Sequence, residues 1–191
     1  MADSHRTFVA VDLDPALRTA VVELERALET AGVRLKWIKP ENLHFTLRFL
    51  GGIPSAQVTR VRTATREAAG TVQSFRITLE SVGAFPSVRR PQVLWVGVSE
   101  GREHLESLAA RLDEHLARQR FPPEGRRFQP HLTLARIRDG RNWGELPRAL
   151  ERFRDISPGS QVVRTLTVYE SRLSPSGATY EALEEVPLGN H

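Results

Sequence analysis

Apolar positions recur with period two in some stretches of the chain and at helical spacing in others, and the two patterns alternate. Residues 7–13 form a nearly unbroken apolar run that predicts a buried strand. Asp14 and Pro15 then supply an N-cap and a first-turn proline, Leu17, Val21, Leu24 and Leu28 fall on one helical face, and Gly32 stops the helix. A second strand is expected over 43–50, followed after Gly51, Gly52 and Pro54 by a helix carrying Val58, Val61 and Ala68 on one side. Alternation predicts strands over 75–82 and 92–99. Leu105, Leu108, Leu112 and Leu116 mark an amphipathic helix over 101–119. A strand over 131–137, a short helix from Asn142 to Phe153 and two strands over 161–173 and 179–186 complete the pattern. Strands and helices interleave through both halves with no Gly/Ser linker or charge block between them. The expectation is one α+β domain over 1–191 made of two similar lobes.

Composition narrows the chemistry. Apolar residues make up 40% and charged residues 26%, and no apolar run approaches the ~20 residues that span a bilayer, so a soluble globular chain is expected. The first residues lack a basic segment followed by an apolar one, which makes the cytoplasm the expected location. The absence of cysteine excludes disulfides, thiolate nucleophiles and Cys-based zinc sites. The net charge of +4 is carried almost wholly by arginine, a balance compatible with a polyanionic substrate.

Six histidines remain to be accounted for. Two of them open a tetrad that occurs twice, 87 residues apart: His44-Phe45-Thr46-Leu47 and His131-Leu132-Thr133-Leu134. On a strand, side chains alternate between faces, so each tetrad turns its histidine and threonine to one side and its two apolar residues to the core. If the lobes are related by an approximate twofold, the polar faces meet across a groove. A pair of imidazoles there can accept one proton while delivering another, and the hydroxyls of Thr46 and Thr133 can donate to the non-bridging oxygens of a phosphodiester. Arg48 falls on the face of His44 by simple alternation and is a further candidate for phosphate contact. Arg89 and Arg90 lie on a loop where they can follow a polyanionic backbone. His5, His104, His115 and His191 fit no such pattern and are expected to be surface or packing residues.

These segments resemble the two-histidine (2H) phosphoesterase superfamily, and within it the bacterial and archaeal RNA 2′,3′-cyclic phosphodiesterases once called 2′-5′ RNA ligases. The resemblance runs through Arg6-Thr-Phe-Val-Ala-Val, Trp37 to Gly51, Val82 to Pro86, Phe128 to Arg136 and Tyr169 to Tyr180. It implies a bilobal pseudo-twofold fold in which two antiparallel sheets face a central groove with helices outside. It also implies hydrolysis of an RNA terminal 2′,3′-cyclic phosphate to a 2′-phosphomonoester, without metal or other cofactor, and in some members a slow, reversible, ATP-independent 2′-5′ ligation. Carried onto this chain, His44 stands where the general acid is expected, His131 where the base is expected, and Thr46 and Thr133 where the phosphate is held. The near-equivalence of the lobes leaves the acid and base roles interchangeable on the residues alone. Arg136 stands where the family has an arginine near the phosphate, yet regular alternation would turn it away from His131, so that role requires a bulge in the strand. The partner implied is an RNA with a cyclic phosphate end, and the chain is expected to act as a monomer away from membranes. Two alternatives remain: a phosphodiesterase for a small nucleotide such as ADP-ribose 1″,2″-cyclic phosphate, and an RNA-binding module without catalysis.

Overall fold

The computed structural model describes residues 4–137, 144–175 and 177–189. In chain order the elements are β1 (Ser4–Asp12), α1 (Pro15–Thr30), a 3₁₀ turn (Pro40–Asn42), β2 (His44–Pro54), α2 (Ser55–Gly70), β3 (Phe75–Phe85), β4 (Val93–Val98), α3 (Arg102–Arg118), β5 (His131–Arg136), α4 (Leu146–Arg152), β6 (Gly159–Val163), β7 (Thr165–Ser174) and β8 (Gly177–Pro187). The strands form two four-stranded antiparallel sheets, ordered β2-β1-β7-β8 and β5-β4-β3-β6. The α+β fold expected from the sequence is therefore present. The same unit, strand, helix and edge strand, occurs once in each sheet: β1-α1-β2 in the first and β4-α3-β5 in the second.

Local sequence explains most boundaries. The Asp14 carboxylate accepts the Leu17 N–H at 2.7 Å, and Pro15 opens α1 where its missing N–H costs nothing. Leu105, Leu108, Leu112 and Leu116 are all fully buried, as their spacing requires. Several boundaries differ from the expected ones; β1 already begins at Ser4 and β3 runs on to Phe85. Strand β2 continues through Gly51 and Gly52 to Pro54, because Leu50 is an extra residue between the pairs Thr7–Gly51 and Phe8–Phe49 and the ladder resumes beyond it. The apolar stretch 161–173 is two strands in different sheets, β6 beside β3 and β7 between β1 and β8, with the break at Arg164. The expected start of the fourth helix at Asn142 lies outside the described residues; the observed helix begins at Leu146, with Pro147 in its first turn.

Two links hold the sheets together near the starts of β2 and β5. The N–H of Ile38 donates to the carbonyl of Leu134 at 2.7 Å, and Trp37 bridges to Ala135, so the segment leading into β2 pairs with β5. On the other side, the buried Gln161 of β6 donates to the Asp12 carbonyl at 2.7 Å and accepts the Asp14 N–H at 2.9 Å. Among the described residues no helix is long and apolar enough to cross a membrane.

Candidate active site

His44 and His131 are the first residues of β2 and β5, each an edge strand of its sheet. Each imidazole is fixed in the same way. The Nδ1 of His44 lies 2.7 Å from the carbonyl of Asn42, and that of His131 lies 2.7 Å from the carbonyl of Gln129. A carbonyl can only accept, so Nδ1 carries the proton and the neutral ring presents a bare Nε2. The Asn42 carbonyl is in turn held by the 3₁₀ turn, whose Asn42 side chain donates to the Ala178 carbonyl of β8 at 2.9 Å. Nε2 of His44 accepts from the Thr46 hydroxyl at 2.9 Å.

Each tetrad ends in a β-bulge at the same place. Leu47 is unpaired between Val9–Arg48 and Ala10–Thr46, and Leu134 is unpaired between Leu94–Ala135 and Trp95–Thr133. One extra residue reverses the alternation, so every side chain beyond the bulge changes face. In β5 this leaves Ala135 buried and turns Arg136 out to the side of His131 and Thr133. The bulge that the Arg136 assignment required is thus in place. The positive charge of Arg136 disfavours the protonated form of both imidazoles.

In β2 the same bulge overturns the expectation for Arg48. Arg48 pairs with Val9 on the core face and is buried, its guanidinium donating to Glu124 at 2.9 Å and to the Pro122 carbonyl, with Asp113 at 3.2 Å. It fastens the loop that leads to His131 and does not face the groove. Arg48→Ala is expected to remove this anchor at a cost of about 2 kcal/mol, since its carboxylate partners are half-open to water. Thermal unfolding should then fall by roughly 4–8 °C; an unchanged melting temperature would show that the buried ion pair contributes nothing. The position five residues after His44, equivalent to Arg136, is Phe49, which is 44% exposed, with the Arg6 guanidinium 4.6 Å from its ring centroid.

Aromatic rings wall both histidines. His44 sits 4.9 Å from Phe8 and edge-on to Tyr180 at 5.3 Å, and His131 sits edge-on to Phe85 at 5.1 Å. Trp95, across from Thr133, has its indole over Gly83, where a Cβ would come within 2.3 Å of the ring. Removal from water pushes both imidazoles below their ordinary pKa; the carbonyl bonds push the other way, and Arg136 adds to the lowering. His44 alone also feels a carboxylate, Asp12, which favours its protonated form.

Of the other histidines, His5 bonds Glu170 and Ser55, His115 bonds Glu67 and His104 stacks on Phe75, while His191 lies outside the described residues. Phe45 faces the core as expected. No group of three or more His, Cys, Asp or Glu side chains able to hold a metal ion occurs among the described residues. The sequence reading did not single out Asp12, Thr167 or Tyr169. Thr167 and Tyr169 donate to the Asp12 carboxylate at 2.6 and 2.8 Å, and the one available signal was an aspartate closing an otherwise apolar strand.

Comparison with known proteins bears on this arrangement. The LigT-like phosphoesterase family pattern matches the chain twice, over residues 11–95 and 96–180. The RNA 2′,3′-cyclic phosphodiesterase of Methanothermobacter thermautotrophicus is 34% identical over 179 residues, covering 94% of this chain and 96% of that one. The protein of the same name from Aquifex aeolicus is 37% identical over 157 residues, covering 81% and 82%. Among solved structures, TT0787 of Thermus thermophilus superposes with a TM-score of 0.80 at 28% identity, covering 97% of this chain and all of that one. E. coli LigT complexed with NADP+ gives 0.70 at 25% identity, covering 98% and 99%.

Proposed function

The chain belongs to the LigT-like phosphoesterases, and on that premise we propose that it opens the 2′,3′-cyclic phosphate at the end of an RNA, leaving a 2′-phosphomonoester and a free 3′-hydroxyl. The observation that carries the reading is the matched pair of imidazoles, each with Nδ1–H tied to a carbonyl two residues back and both under the charge of Arg136.

The steps follow from that arrangement. Water attacks phosphorus in line with the P–O3′ bond, and Nε2 of His131 takes its proton. The P–O3′ bond breaks, and His44, entering as the imidazolium, gives its Nε2 proton to O3′. His131 ends protonated and His44 neutral, and exchange with solvent restores the starting state. Thr46, Thr133 and Arg136 bind the non-bridging oxygens as their charge grows. Two positioned proton carriers and a guanidinium supply what the reaction needs, so hydrolysis proceeds without a metal ion. An RNA 5′-hydroxyl attacking in place of water breaks the same P–O3′ bond, leaves the 3′-hydroxyl free and joins the two ends slowly through a 2′-5′ linkage.

The exposed ring of Phe49, on the same face as His44, is a platform for the terminal base, whose π-face stacks without regard to sequence. Phe49→Ala should raise KM for a nucleoside 2′,3′-cyclic phosphate about tenfold, the worth of roughly 1.4 kcal/mol of lost stacking, with kcat little changed. Steady-state kinetics showing an unchanged KM would remove the platform from the reading.

The decisive experiment is product analysis of an oligonucleotide 2′,3′-cyclic phosphate incubated with the protein in excess chelator. A 2′-phosphate end is expected. Loss of turnover in chelator contradicts metal independence, and much faster opening of ADP-ribose 1″,2″-cyclic phosphate moves the substrate to small nucleotides. A salt-sensitive RNA complex without turnover makes the chain a binding module.

A further inference from the structure

We infer that Asp12 sets the direction of proton flow in the groove, committing His44 to protonate the leaving oxygen and His131 to deprotonate water. The inference rests on the proposed cyclic-phosphate chemistry. Its origin is a difference between two otherwise matching lobes. Across the ladder from His44 stands Asp12, and across from His131 stands Gly97. One imidazole has a carboxylate for its cross-strand neighbour; the other has a hydrogen atom.

Both sides of this difference are fixed by their surroundings. The Asp12 carboxylate accepts from Thr167 at 2.6 Å and from the Tyr169 hydroxyl at 2.8 Å, and its backbone carbonyl is gripped by Gln161 from the other sheet. Burial and the nearby Asp12 charge hold the Tyr169 phenol well above its ordinary range, so it stays a donor to the carboxylate. At Gly97 a Cβ would come within 2.9 Å of the Glu80 carbonyl and 3.3 Å of the Trp95 ring, so a side chain there meets backbone. The charged or titratable groups facing His44 are Asp12 from β1, Arg136 from β5, Tyr169 from β7 and Tyr180 from β8, with Glu185 of β8 beyond Tyr169. Arg136 acts on both imidazoles, so it cannot distinguish them, whereas Asp12 acts on His44 alone. A neighbouring negative charge favours the imidazolium, the form a general acid must enter with.

Substrate orientation is thereby set. The leaving O3′ stays on the nucleoside, and in-line displacement puts the departing and attacking oxygens on opposite sides of phosphorus. The nucleoside therefore lies against the first sheet, the side of Phe49 and Tyr180, and water enters from the side of Phe85 and Trp95. Asp12 acts through His44 and is a positioning residue.

The test uses two cyclic phosphates that differ in leaving oxygen: uridine 2′,3′-cyclic phosphate, which expels an alkoxide, and catechol cyclic phosphate, which expels a phenoxide needing far less protonation. Asp12→Asn should lower kcat/KM about tenfold or more on the uridine ester and by less than about threefold on the catechol ester, with the kcat/KM profile moved to lower pH. His44→Ala should likewise be rescued on the catechol ester, and His131→Ala should not. Equal losses by Asp12→Asn on both esters overturn the inference, as does an unmoved pH profile. Rescue of His131→Ala in place of His44→Ala overturns it independently of how well the Asp12 variant folds. A wild-type protein that opens neither ester sinks the cyclic-phosphate reading itself, a different result.

Discussion

Replacing His131 by alanine is expected to slow opening of an RNA 2′,3′-cyclic phosphate by about 10²–10⁴-fold in kcat with little change in KM, and His44→Ala to do the same. The size reflects what each ring supplies. One positioned acid or base contributes that much, and among the described residues neither side chain has another acid or base to stand in for it at Nε2. Thr46 bonds Nε2 of His44 but cannot act as an acid near neutrality. Binding should survive, because Thr46, Thr133, Arg136 and Phe49 are untouched. The two substitutions should not multiply: in the proposed mechanism acid and base serve one concerted displacement, so the double variant should lie close to the slower single one. Single-turnover quench with separation of the cyclic and opened ends measures this directly. A single variant within about threefold of wild type would remove that histidine from the chemistry.

The part of this site legible in the sequence was the part that obeys local periodicity. The two tetrads announced strand, face and core anchor together, because a period of two needs only the residues themselves. Phe45 and Leu132 are buried and Thr46 is exposed as that rule requires. Alternation failed at Leu47 and Leu134, where an unpaired residue reverses every later side chain. Arg48 and Arg136 both come after such a bulge, and counting by twos misassigned the first and cast doubt on the second. Neither bulge is marked by a glycine or proline at the unpaired position. Each is set by pairing with β1 or β4, and the one at Leu134 also by the Ile38 N–H that bonds its carbonyl from the other lobe. The division of 161–173 between sheets was hidden for a similar reason. Both halves are good strands, and which sheet each joins depends on partners 80 to 160 residues away. Asp12 was overlooked because its importance lies in pairings that cross the chain, with His44, Thr167 and Tyr169.

Arg136→Gln should cost about 10²–10³-fold in kcat/KM and also move the pH dependence, a combination a merely structural arginine would not produce. The rate term comes from losing a guanidinium that the proposed mechanism places where phosphorane charge accumulates. The pH term has a definite sign. Arg136 lowers the proton affinity of both imidazoles, so its neutral replacement must raise both. The reaction needs one ring protonated and one bare, and the bell of kcat/KM against pH is bounded by those two titrations. Both limbs therefore shift toward higher pH in Arg136→Gln, opposite to the shift expected of Asp12→Asn. Arg136→Lys separates charge from shape. A lysine keeps the positive field, so the profile should return toward that of wild type, but it lacks the planar fork that grips two phosphate oxygens, so only part of the rate should recover. Profiles measured over roughly pH 4.5–9 on one cyclic phosphate decide the matter. An Arg136→Gln enzyme slowed in proportion at every pH would mean that the guanidinium touches the phosphate without governing the histidines, and full recovery by lysine would mean that its charge alone matters.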